Sequence, residues 1–80
     1  MKKYNVRFLD KVKAAYISVA EEDRSSVMEQ LEALVFVDEV IVFRKTQLCV
    51  YFSPLAEQSD LDQIEPLLRS IVGEGDVAGD

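Results

Sequence analysis

The sequence contains no histidine, no tryptophan, one cysteine, two prolines and three glycines. Without histidine it lacks the side chain that most often carries protons near neutral pH, and it has neither a glycine-rich phosphate loop nor a nucleophile elbow. No catalytic residue can be named, so the expectation is a protein that is not an enzyme. Cys49 has no partner for an internal disulfide, and a thiolate metal site would need further ligands the chain does not supply. Neither metal nor cofactor is expected, and a reducing cytoplasm fits a single thiol. No apolar run approaches the roughly 20 residues of a membrane-spanning helix. Lys2-Lys3 leads into Tyr4-Asn5-Val6-Arg7 rather than the apolar stretch of a signal peptide. A cytoplasmic protein that does not use a membrane is therefore expected.

What the chain does have is a globular composition: 80 residues, 49% hydrophobic and 30% charged, enough for one core and one domain. The net charge of −6 is unevenly spread. Residues 1–13 hold five bases against one acid, for +4, and the other 67 hold four bases and fourteen acids, for −10. Such a surface repels nucleic acid over most of its extent, which makes nucleic acid an unfavoured partner.

Residues 3–9 alternate Tyr4, Val6 and Phe8 with Asn5 and Arg7, the period of a strand with one buried face. Residues 13–20 repeat the pattern, with Ala15, Ile17 and Val19 on one side and Tyr16 on the other, so a hairpin is expected. From Ser25 the period becomes helical through Val27, Leu31, Leu34 and Val35, and Ser26 with Glu29 forms a capping-box pattern. A helix over 24–35 follows. Val37 to Phe43 and Leu48 to Phe52 read as a second hairpin around Arg44-Lys45-Thr46-Gln47. The last helix carries Leu61, Ile64, Leu68, Ile71 and Val72 on one stripe. It starts near Ser59 and kinks at Pro66, or starts with Pro66 in its first turn. Gly73 is the expected stop, and residues 74–80 are expected to form a disordered acidic tail beyond a domain of 1–73.

The order strand, strand, helix, strand, strand, helix, with each helix apolar on one stripe, predicts an α+β two-layer sandwich. Its expected form is a permuted ferredoxin-like ββαββα plait. A four-stranded, mainly antiparallel sheet in the order one, two, four, three carries both helices on one face, with strand four parallel to strand two.

Two resemblances accompany this reading. The stretch from Val37-Asp38-Glu39-Val40-Ile41-Val42-Phe43 through Leu48-Cys49-Val50-Tyr51-Phe52-Ser53-Pro54 to Ile71 resembles the heavy-metal-associated domain over about half the chain. The paired cysteines of that family would fall at Glu22-Asp23-Arg24-Ser25-Ser26-Val27, and both are absent. The resemblance thus implies a degenerate carrier of a metal or small ligand without the soft-metal site. Val6-Arg7-Phe8-Leu9, Ala14 to Glu22, Glu39-Val40-Ile41-Val42 and Leu48 to Leu55 are similar to the N-terminal domain of the kinase-inhibitor and allophanate-hydrolase-subunit-one family. That likeness implies an accessory subunit of an amide- or lactam-hydrolysing enzyme.

Three surface features are candidates for function. Glu21-Glu22-Asp23 with Glu57, Asp60 and Asp62 would share one end of the plait, where carboxylates complement helix dipoles. With strands two and four parallel, Lys11 and Lys13 would join Arg44 and Lys45 in a basic pole at the opposite end. The strongest lead is the sheet face turned away from the helices. It would expose Tyr16, Cys49 and Tyr51 with either Ile41 and Phe43 or Val40 and Val42, and an apolar second face of this kind marks an interface. Mid-strand, Cys49 itself reads as a packing residue. The expected function is a small non-catalytic interaction or regulatory module, docking a second copy or another protein through Tyr16, Ile41, Phe43, Cys49 and Tyr51.

Overall fold

The computed structural model describes residues 4–9 and 11–73, and the backbone of 76–78. Its elements are β1 (Tyr4–Phe8), β2 (Ala14–Val19), α1 (Glu21–Glu32), β3 (Val37–Arg44), β4 (Gln47–Phe52), α2 (Gln58–Leu61), α3 (Ile64–Val72) and β5 (Asp76–Ala78). This is the expected α+β architecture: four antiparallel strands in the order β3-β4-β2-β1, with the helices packed on one face. Period-two alternation drives the layering. Tyr4, Val6, Ala15, Ile17, Val19, Leu48, Val50 and Phe52 all project inward and are buried, and Phe8 is partly buried beside them. Val27 and Leu31 of α1 and Ile64 and Leu68 of α3 close the core from the other side. Each large apolar side chain withdrawn from water in this way contributes roughly 1.5–3 kcal/mol.

Strand four, however, runs antiparallel to β2, not parallel. The reason is the connectivity. Helix α1 carries the chain back along the sheet, so β3 runs the same way as β2, and the tight Lys45-Thr46 turn then reverses β4. The expected tail also needs correction: residues 76–78 form β5, which pairs parallel to β1 through Asn5↔Asp76, Val6↔Val77 and Arg7↔Ala78. A strand after the last helix therefore exists. Because β1 already occupies the place beside β2, β5 extends the sheet beyond β1. Residues 74, 75, 79 and 80 of the expected tail lie outside the described residues.

The helices differ in their limits from the periodic reading. Helix α1 begins at Glu21, with Ala20 as N-cap and no side-chain cap, so Ser26 and Glu29 lie inside it rather than at its start. Three acids in the first turn, Glu21, Glu22 and Asp23, complement the positive end of the helix dipole instead. Its earlier end leaves Val35, assigned to the core by its spacing, 97% exposed, while Phe36 is buried against Phe52 with ring centroids 6.3 Å apart. The last helical stretch divides into two. Asp60 accepts a hydrogen bond from the Glu57 amide at the start of α2, the chain turns at Asp62-Gln63, and Pro66 falls in the first turn of α3, where no intrahelical amide bond is lost. Gly73 ends α3 with φ of 96°.

Candidate docking face

The face of the sheet opposite the helices is built by the residues that alternate with the core. Across the middle of the sheet, Ile41, Cys49, Tyr16 and Arg7 stand in one row, because Ile41 pairs with Cys49, Cys49 with Tyr16, and Tyr16 with Arg7. A second row holds Glu39, Tyr51 and Ala14. The alternation of β3, ambiguous in sequence, is settled: Val40 opposes Val50 and is buried, so Ile41 and Phe43 lie on the open side. All five residues expected on this face, Tyr16, Ile41, Phe43, Cys49 and Tyr51, share it.

Their exposures make the face apolar and accessible. Ile41 is 41% exposed, Phe43 52% and Tyr51 42%, while Tyr16 is half-buried. The rings of Tyr16 and Phe43 meet at 5.7 Å between centroids, and the Arg44 guanidinium lies 5.3 Å from the centre of the Phe43 ring. Cys49 stands between Tyr16 and Ile41 on this face and is only 6% exposed, which supports its reading as a packing residue. A side-chain hydrogen bond with Cys49 is the main influence on the Tyr51 phenol and raises its pKa, with charge on Cys49, burial, Tyr16 and Glu39 acting in the same direction.

The basic pole is not formed. Antiparallel pairing of β2 and β4 puts Gln47 beside Ser18 at one end of the sheet and Tyr51 beside Ala14 at the other, so Arg44 and Lys45 are separated from Lys11 and Lys13 by the length of the strands. Lys45 lies near the acidic start of α1, where its carbonyl accepts a hydrogen bond from Arg24 at 2.9 Å. Lys13 lies near the start of α2, its ammonium donating to the carbonyls of Pro54 and Ala56 at 2.8 and 2.7 Å. Glu21-Glu22-Asp23 and Glu57, Asp60 and Asp62 likewise belong to opposite ends, so each end carries both signs of charge. Among the described residues, no three His, Cys, Asp or Glu side chains come together as a metal site. A groove of about 340 Å³ lies beside Lys11 and Lys13, lined by Phe8, Leu9, Val12, Phe52 and others.

Sequence reasoning placed β3 at the edge of the sheet, as found, but missed that this edge leaves Val42 44% exposed although it points to the helix side. The near-continuous apolar run Val40-Ile41-Val42-Phe43 was the available signal, since it suits a strand with both sides covered. Among the described residues no helix is long and apolar enough to cross a membrane. Comparison with protein families, with curated proteins and with solved structures gives no match in any of the three.

Proposed function

We propose that this chain is a non-catalytic interaction module that associates with a second copy of itself through the open sheet face, around Ile41 and Phe43. The observation that carries the reading is the exposure of Ile41, Phe43 and Tyr51 as one apolar patch on an otherwise charged protein. Charge favours a second copy at this place. Two chains of net charge −6 repel in general, and a patch flanked by one acid, Glu39, and one base, Arg44, carries little of that net charge and is where they approach at low cost. An aromatic anchor such as Phe43, covered on association, would supply much of the affinity.

Sedimentation equilibrium tests the reading. The wild-type chain is expected to show a concentration-dependent mass rising to twice that of the chain. Phe43→Asp should weaken association by roughly tenfold or more, since a charge would replace the anchor, and should leave the far-ultraviolet circular dichroism unchanged. A wild-type mass equal to one chain at every concentration would overturn the proposal.

A further inference from the structure

Strand β3 has β4 on one side and no strand on the other among the described residues. Its free backbone groups can be identified. The Phe52 amide donates to the Lys13 carbonyl on the β2 side, and the Ser53 amide donates to the Phe36 carbonyl towards β3, both at 2.8 Å. Backbone groups alternate in direction along a strand, so those of Leu48 and Val50 serve β2, and those of Cys49 and Tyr51 serve β3. Ile41 and Glu39, opposite Cys49 and Tyr51, therefore turn their N–H and C=O groups towards β4. Val40 and Val42 turn theirs outward, to the open edge.

The charges along β3 are ordered too. Asp38 and Glu39 mark its beginning, and Arg44 with Lys45 mark its end. We infer that two copies join edge to edge, β3 antiparallel to β3 about a two-fold axis at Ile41, so that Val40 of each copy exchanges both backbone hydrogen bonds with Val42 of the other. This rests on the self-association proposed above and gives it a geometry. The register keeps the helix sides of both sheets on one side, because residues whose numbers differ by two share a face. It also brings the acidic beginning of each strand against the basic end of the other, whereas a parallel arrangement would oppose like charges. Register irregularities between Val37 and Glu39 and between Val42 and Arg44 confine regular pairing to the stretch between them. The pairing is isologous, so it consumes the β3 edge of both chains and closes at two copies.

Hydrogen exchange of the wild-type protein, followed by nuclear magnetic resonance at low and high concentration, tests this directly. The Val40 and Val42 amides should slow by roughly tenfold or more as the dimer forms, because each gains a partner carbonyl. If they exchange as freely in the dimer as in the monomer, edge pairing is wrong. Sedimentation of two variants separates this inference from the broader reading. Val42→Pro removes the outward N–H from an edge strand, a position where proline is tolerated, and should leave a folded monomer. Tyr51→Asp alters the open face one strand in from the edge and should weaken the dimer less than Val42→Pro does. A dimeric Val42→Pro with a monomeric Tyr51→Asp would mean that the faces stack, overturning the edge geometry and sparing self-association. A monomeric wild type would overturn both.

Discussion

Tyr16 and Phe43 touch across a strand that belongs to neither of them: Tyr16 lies in β2 and Phe43 in β3, and their rings meet at 5.7 Å over β4. Directly opposite Tyr16 on that intervening strand is Cys49, whose thiol is on the open face by alternation yet only 6% exposed. Tyr16 and Ile41 flank this small side chain on the two neighbouring strands, and the aromatic pair beside it is the cover expected to keep it from water.

That arrangement predicts how the thiol reacts. Removing part of the cover with Phe43→Ala should speed alkylation of Cys49 by a maleimide roughly tenfold or more, because attack requires an accessible thiolate. Substitution of the remote and exposed Val35 by Ala should leave the rate unchanged. Equal rates in all three proteins would mean that something other than the aromatic pair protects Cys49.

The contact between Cys49 and Tyr51 predicts a pH dependence. Because the folded phenol has a pKa raised above its ordinary value, chiefly by its hydrogen bond with Cys49, folding favours the protonated form. The stability this contributes is fully present below the unfolded phenol's pKa, about 10, and is lost as the pH climbs through the higher folded value. Alkaline titration followed by tyrosinate absorbance should show one phenol ionising late in the wild-type protein. In Cys49→Ala that phenol should move back towards the ordinary value, and an unmoved titration would assign the shift to another neighbour.

A different tyrosine should be better replaced. Tyr4 is 3% exposed, and its buried hydroxyl has no hydrogen-bond partner among the described residues. Leaving such a group without water or partner costs about 1–3 kcal/mol. Tyr4→Phe keeps the ring and removes the cost, so urea unfolding should show a gain of about 1 kcal/mol or more. A loss of stability would show that the hydroxyl is satisfied in solution.

The layers and strand order were legible because burial leaves a period in the chain. Val6, Ile17, Val50 and Leu68 are in the core, as expected, for the same reason that their neighbours Arg7, Ser18, Tyr51 and Arg69 are turned away from it. The composition of the open face followed from that alternation, apart from β3, where Val40, Ile41, Val42 and Phe43 fit either side and only the pairing with β4 decides. Helix limits were less legible. Val35 continues a helical spacing in sequence, but a turn already formed by the Leu34 and Val37 amides carries it into solvent. The basic pole failed on strand direction, which no local pattern of residues records. Lys13, assigned to that pole, instead joins the start of β2 to the loop before α2.

Gly73 governs whether the chain can leave α3 and return to the sheet as β5. Its φ of 96° and ψ of −152° lie in a region that a Cβ atom makes costly, and its amide still donates to the Arg69 carbonyl at 3.0 Å to finish the helix. Alanine cannot hold both the bond and the change of direction without strain. Gly73→Ala should therefore lower stability by roughly 1–3 kcal/mol, or relieve the strain by giving up the parallel pairing of Val6 with Val77. Hydrogen exchange distinguishes the two: global loss accelerates the slow core amides of β2 and β4, whereas local release accelerates only those of β5. An unchanged unfolding midpoint together with unchanged exchange throughout would show that position 73 tolerates a side chain.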